Sequence, residues 1–282
     1  MSTPTRTEAP AEPIDLRLVV TDLDGTLLDG DGRLPERLWQ VLDRLASRGI
    51  TWAPASGRQY ATLRRMFGTR DGMAFIAENG TYVVCDGREV GGRSLDRGFV
   101  HVLIRETRSM ARAGRDIGLV WCGRQAAYVD RTDDRFVTEV GRYFAALEIV
   151  DDLCDVDEDP AKLSIVDFGG SAEPARLLQH LSGGHQLVRS NTEWLEVLNQ
   201  GVNKGAAVRM LQRELGVTPE QTVVFGDYLN DLEMISQAPH SFAVANAHPQ
   251  VIEAARYLAP SNADGGVLVV LERLLDTAER AA

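Results

Sequence analysis

Asp22 and Asp24 stand two residues apart, directly after the apolar run Leu16 to Thr21. Side chains two apart on an extended chain face the same way. Two carboxylates followed by Gly25 and Thr26 suit a hard cation such as magnesium, or make a solvated acidic turn. Asp227 and Asp231 repeat the pattern after a second apolar run, Thr222 to Phe225. In a parallel sheet both runs end on one edge, where ligands bind in open α/β folds. Two acidic strand ends on that edge are harder to explain as incidental turns than either alone. Ser56-Gly57 follows a third run, Thr51 to Pro54. It offers a hydroxyl and unhindered N–H groups for a phosphate oxygen, although by itself a plain strand-to-helix turn explains it better. Lys204 opens a helix, where a cation opposes the helix dipole. A bound anion would justify it; a plain exposed lysine is the alternative. A nucleophile candidate, a cation site, a hydroxyl and a lysine on one edge are the equipment for phosphoryl transfer through an aspartyl-phosphate. Magnesium and Lys204 would neutralise charge on the transferring group, and Ser56 would hold its oxygens.

The elements that must position these groups follow from the hydrophobic pattern. Leu16 to Thr21, Thr51 to Pro54 and Ala74 to Ala77 read as strands. Between them lie helices near Pro35 to Ser47, with Leu38, Val41, Leu42 and Leu45 on one face, and Gln59 to Met66. That alternation predicts a parallel α/β sheet. The rhythm then changes. Thr81 to Val84 and the stretch GREVGGRS read as a hairpin or linker. Helices are expected over Arg97 to Ala113, Arg135 to Ala146 and Ala172 to Leu181. Strands are expected over Gly118 to Cys122, Ala126 to Asp130, Lys162 to Phe168, Gln186 to Ser190 and Glu193 to Leu198. This is an α+β pattern. After Gly201 the first rhythm returns, with a helix Lys204 to Leu215, strands Thr222 to Phe225 and Ser241 to Ala245, and a helix Val267 to Ala278. The prediction is one α/β domain, 14–85 and 191–282, split by an α+β insertion, 86–190. Met1 to Pro13 reads as a disordered tail with no secretory signal.

Composition bounds the rest. The chain has 282 residues, 41 acidic and 30 basic, and a formal net charge of -11. A nucleic-acid binder or an anionic membrane partner is disfavoured, whereas a locally positive site for a small phosphate is not. Cys85, Cys122 and Cys154 are too widely spaced for a zinc site or a disulfide framework and read as reduced thiols. No run approaches a membrane span. A cytoplasmic protein, monomer or homodimer, is expected.

The motifs resemble those of the haloacid dehalogenase superfamily, and more closely its Cof-type (subfamily IIB) phosphatases. DLDGTLL (Asp22 to Leu28) is similar to the first motif, ASGR (Ala55 to Arg58) to the second, NKG at Lys204 to the third and GDYLND (Gly226 to Asp231) to the fourth. The ENG at Glu78 to Gly80, ANA at Ala245 to Ala247 and DGGV at Asp264 to Val267 are further family-like stretches. One departure is Tyr228-Leu229, where many relatives carry smaller or polar residues.

The resemblance implies a Rossmannoid core with a parallel sheet and an inserted cap that sets specificity. It implies that Asp22 is the nucleophile and Asp24 the general acid/base. Mg²⁺ is implied at the Asp22 carboxylate, the Asp24 backbone carbonyl and Asp227. Ser56, Gly57, Lys204, the Leu23 N–H and Asn230 are implied around the phosphoryl group, with Asp231 orienting Lys204 or metal-bound water. Arg58 reads as a surface or structural residue, with reach to substrate as the alternative, and Trp194, with Glu196 in the return from cap to core, reads as packing, with substrate contact as the alternative. Cap candidates for substrate contact are Trp121, Arg124, Tyr128 and Arg189. The leading expectation is a magnesium-dependent phosphatase of small phosphorylated metabolites, sugar phosphates first, flavin or pyridoxal phosphates behind. A phosphomutase and a non-catalytic phosphometabolite-binding protein are the alternatives.

Overall fold

A computed structural model describes residue 10 and residues 13–68, 70, 72–190 and 192–281. The expected tail over 1–13 falls outside them apart from residues 10 and 13. The chain runs through β1 (Leu18–Thr21), α1 (Leu38–Ala46), β2 (Thr51–Pro54), α2 (Tyr60–Phe67), β3 (Ala74–Ala77), β4 (Tyr82–Cys85) and β5 (Arg88–Gly92). It continues through α3 (Arg97–Arg112), β6 (Ile117–Cys122), β7 (Ala127–Val129), α4 (Asp134–Gly141), β8 (Leu147–Ile149), β9 (Lys162–Asp167), α5 (Ala172–Leu178), β10 (His185–Arg189) and β11 (Trp194–Asn199). It closes with α6 (Lys204–Leu215), β12 (Thr222–Gly226), α7 (Leu232–Ile235), β13 (His240–Val244), α8 (Pro249–Ala254), β14 (Tyr257–Ala259) and α9 (Gly266–Ala281).

Two units divide the chain. The first holds the described residues through Gly57, those from 70 to Gly91, and those from Asn203 onward. Its centre is a five-stranded parallel sheet in the order β14-β13-β12-β1-β2. β1 is apolar and fully buried (LVVT) because strands flank it on both sides. α1 buries Leu38, Val41, Leu42 and Leu45, the stripe expected of an amphipathic helix. Parallel bridges Trp52–Met73 and Ala55–Ile76 dock β3 beside β2, and β3, β4 and β5 form a three-stranded sheet.

The second unit holds Arg58–Gly68 and Gly92–Val202. Its six-stranded sheet runs β10-β11-β9-β6-β7-β8, parallel at β7–β8 and otherwise antiparallel. Leu119, Trp121, Leu163, Ile165, Leu195 and Val197 pack with Val100, Leu103 and Ile104 of α3. Val120, Cys122, Val166 and Trp194 pack with Phe136 and Val140 of α4. Neighbouring positions of one strand thus serve two cores, and β6, β9 and β11 are buried along their whole length. Lys162 pairs with Glu196 at 2.8 Å inside this unit, and the Ser164 hydroxyl donates to the same carboxylate at 2.8 Å.

Several expectations need correction. β10 and β11 pair within the inserted sheet, so the second unit extends to Val202 and not to 190. β5 joins the β3–β4 sheet, so the unit resumes at Gly92 and not at 86. α2 groups with the second unit, although its sequence position suggests the first. The helix expected over Arg135 to Ala146 stops at Gly141. The N–H groups of Ala145 and Ala146 donate instead to side-chain oxygens of Thr62 (3.3 Å) and Gln59 (3.1 Å), and β8 follows. The short strands β8 and β14 carry too few residues for a periodic signal. Cys85, Cys122 and Cys154 are free thiols. Among the described residues no helix is long and apolar enough to cross a membrane.

Candidate active site

Register fixes the site before any side chain is considered. Thr21, the last residue of β1, lies opposite Phe225 of β12 and Pro54 of β2. The Asp22 N–H donates to the Phe225 carbonyl at 3.0 Å, and the Ala55 N–H donates to the Thr21 carbonyl at 2.8 Å. Asp22, Ser56 and Asp227 therefore leave neighbouring strand ends on one edge. The strand order reverses between β12 and β1, which makes this edge the usual ligand crevice of an open α/β sheet.

After Asp22 the chain leaves the extended conformation and winds through a tight turn over Leu23–Leu27. The expected alternation of Asp22 and Asp24 does not survive that turn. Asp22 is buried and Asp24 is exposed, while Leu23, Leu27 and Leu28 anchor the loop in the core. Gly25 has φ +85°, and a Cβ there would lie 2.5 Å from Asp227 Oδ2. A glycine is required by both the backbone and the close carboxylate.

The second acidic loop is held by its own carboxylate. Asp231 Oδ2 accepts from the N–H groups of Asp227 (2.9 Å) and Tyr228 (3.2 Å). Its Oδ1 accepts from Lys204 Nζ at 2.7 Å, and Lys204 Nζ also donates to Asp22 Oδ1 at 2.5 Å. Lys204 is 1% exposed, so it is no surface lysine. Two carboxylates offset its unfavourable place at the start of α6. Gly205 lets α6 come this close, because a Cβ there would meet the Glu233 carbonyl at 2.4 Å. Asn203 caps the helix, its Oδ1 accepting from the Ala206 N–H at 2.7 Å. Asn203→Ala is expected to cost about 1 kcal/mol of stability, read as a shift of the denaturation midpoint.

Asp22, Asp227 and Asp231 each bring a carboxylate oxygen within 4.8 Å of the others. Burial is the main cause that pushes the Asp22 carboxyl well above the ordinary carboxylate range; Asp231 and Asp227 add to it and Lys204 opposes it. Asp227 is raised as well, first by burial and then by Asp231, against the Thr26 hydroxyl that donates to its Oδ1 at 2.8 Å. Burial alone would lower the Lys204 ammonium, but Asp22 and Asp231 hold it above its usual value. Three carboxylates facing one ammonium leave a surplus of negative charge in an all-oxygen donor set. That set fits a hard divalent cation.

Ser56 is buried, and its backbone is tied to Ile76 of β3 and to Asn79 (2.9 Å each). Asn79 Oδ1 accepts from Asn230 Nδ2 at 3.2 Å. Asn79 thus links Ser56-Gly57 to the loop carrying Asn230. The candidate residues Asp22, Leu23, Asp24, Ser56, Gly57, Lys204, Asp227 and Asn230 all lie in the first unit. Thr26, Asn79, Asn203 and Asn246, whose Nδ2 donates to the Gly25 carbonyl at 2.8 Å, were not singled out as site residues. Each sits inside or beside a motif, and that adjacency is the signal. Arg58 Nη1 contacts Met66. Trp194 is buried and Trp121 is fully buried. Tyr128 donates to Glu158 at 2.9 Å and Arg189 to Ser171 at 3.1 Å.

Comparisons with known proteins give the family. A family model described as haloacid dehalogenase-like hydrolase matches residues 19–271. The 5-amino-6-(5-phospho-D-ribitylamino)uracil phosphatase YbjI of Escherichia coli (strain K12) is 30% identical over 267 residues, 93% of this chain and 97% of that one. An HMP-PP phosphatase of Yersinia pseudotuberculosis is 32% identical over 251 residues, 83% of this chain and 86% of the other. The crystal structure of a haloacid dehalogenase-like hydrolase from Bacteroides thetaiotaomicron is similar at a TM-score of 0.83 and 26% identity, covering 92% of this chain and 99% of that one.

Proposed function

Because this chain belongs to the haloacid dehalogenase-like hydrolase family and is a phosphatase, we propose that it hydrolyses small phosphomonoesters through a phosphorylated Asp22. The observation that carries the reading is the buried Lys204 ammonium spanning Asp22 and Asp231. A carboxylate with a fixed cation beside it can attack an anionic phosphoryl group.

In the first step an Asp22 carboxylate oxygen bonds to phosphorus and the bond to the leaving oxygen breaks. Asp24 gives its proton to that oxygen. In the second step Asp24 takes a proton from water, the water oxygen attacks phosphorus, and Asp22 is released. The exposed side chain of Asp24 suits a group that must meet both leaving group and water. Lys204 stays protonated and steadies the charge. The Ser56 hydroxyl, the N–H groups of Leu23 and Gly57, and Asn230 hold the phosphoryl oxygens. Asp22, the Asp24 carbonyl and Asp227 would hold magnesium, which would supply charge neutralisation there.

The curated relatives are named for a ribitylaminouracil phosphate and for HMP-PP. We extend from them only the class, small phosphorylated metabolites, sugar phosphates among them. Chelation is expected to reduce phosphate release from a phosphomonoester panel to background, with recovery on adding Mg²⁺. No release from any ester in either condition would sink the reading, and an isomer in place of free phosphate would make the enzyme a mutase.

A further inference from the structure

Tyr228 is the motif residue that the chemistry above leaves unused. It is 56% exposed, and Leu229 beside it is 38% exposed. A lone exposed aromatic needs no explanation, but this one is held in place. Its N–H donates to Asp231 Oδ2 at 3.2 Å, and its carbonyl accepts from the Asp231 N–H at 2.9 Å. Its ring meets the His248 ring edge-on, with centroids 5.9 Å apart and planes at 84°. His248 is fixed in turn, its N–H donating to the Asp227 carbonyl at 2.7 Å and its Nδ1 accepting from the Gln250 N–H at 3.3 Å.

The Tyr228 backbone is thus tied to the Asp231 carboxylate, one residue from Asp227, and its ring rests against a histidine whose N–H is held by the Asp227 main-chain carbonyl. With this edge-on contact in place the residue remains 56% exposed. On a chain of net charge -11, an uncharged aromatic side chain one residue from Asp227 can engage a leaving group without adding repulsion. Flat rings stack on such faces, and sequence-tolerant stacking of this kind discriminates planar from non-planar partners. We propose that Tyr228, with Leu229 at its side, is a specificity platform for phosphomonoesters whose leaving group carries a planar aromatic or heteroaromatic ring. This rests on the phosphatase reading of the same site, and it places ring-bearing esters ahead of plain sugar phosphates.

The test compares FMN with glucose 6-phosphate in the full-length enzyme, using Tyr228→Ala and Tyr228→Phe. Tyr228→Ala is expected to raise KM for FMN about 3- to 10-fold relative to KM for glucose 6-phosphate. Tyr228→Phe is expected to restore the wild-type ratio, because the ring face and not the hydroxyl is in use. A merely structural role would move both substrates together, and an unchanged ratio overturns the proposal. Binding of FMN to Asp22→Asn with and without Tyr228→Ala, read by flavin fluorescence, separates the platform from turnover. Weaker binding on Tyr228→Ala with no turnover in the wild type would leave the platform standing and remove the phosphatase reading. Equal binding, or none to either, removes the platform.

Discussion

Asp22→Asn is expected to lower kcat/KM for any phosphomonoester by on the order of 10⁴-fold or more while the protein stays folded. The two halves of that expectation come from the same geometry. Asp22 sits at the end of a central strand, buried and fixed by its own N–H on Phe225. An amide of the same shape keeps that backbone bond and the packing. It cannot form the bond to phosphorus, and none of the neighbouring carboxylates can replace it: Asp231 is held on three hydrogen bonds and Asp227 on the Thr26 hydroxyl. Lys204 keeps Asp231 as a partner in the variant, so no charge is left wholly unpaired. The melting temperature is expected to be at least that of the wild type, because a buried amide avoids the desolvation cost of a buried carboxylate. Phosphate release and a thermal melt on one preparation check both halves. Turnover above about a tenth of wild type would take the nucleophile role away from Asp22.

Lys204→Met should fail in both respects. The methionine fills a similar volume but leaves Asp22 Oδ1 and Asp231 Oδ1 facing each other's charge with no ammonium between them. Removing one partner of a buried ion pair costs on the order of 3–5 kcal/mol. At roughly 2–4 °C per kcal/mol for a large domain, the melting temperature should fall by about 10 °C. Activity should fall with it, since the fixed positive charge beside Asp22 is gone. Adding Asp231→Asn is expected to return part of the lost stability, because it removes one of the two stranded charges. A double variant no more stable than Lys204→Met would mean that the cost is packing and not electrostatics.

Much of this site was legible in the sequence for a physical reason. Parallel strands end on one edge, so acidic residues after Leu16 to Thr21 and after Thr222 to Phe225 had to converge. Their pairing in register confirms the convergence. The resemblance implied that Asp231 orients Lys204 or metal-bound water; its Oδ1 accepts from Lys204, while its Oδ2 accepts from the N–H groups of Asp227 and Tyr228. What stayed hidden depends on contacts far apart in sequence. Nothing local to Asn79 says that it will hold Asn230. Nothing local to Gln59 and Thr62 says that they will take the N–H groups of Ala146 and Ala145 and so end a helical pattern early. The turn at Leu23–Leu27 broke the simple alternation because Gly25 permits a left-handed backbone that a strand pattern cannot anticipate. The insertion begins six residues later and ends twelve residues later than expected because β5 and β11 choose their sheets through pairing, not through composition.

The order β14-β13-β12-β1-β2 has a consequence for synthesis. β12, one of the two neighbours of β1, is made about 200 residues after it. At roughly 5–20 residues per second, β1 waits on the order of 10–40 s for that partner. All six strands of the inserted sheet, β6 to β11, are translated within that interval. The nascent chain therefore carries an unpaired apolar LVVT edge for the whole time that its insertion is emerging, and such an edge is a pairing hazard. The arrangement that gathers Asp22, Asp227 and Asp231 from segments so far apart in sequence leaves that edge exposed while the chain is still on the ribosome.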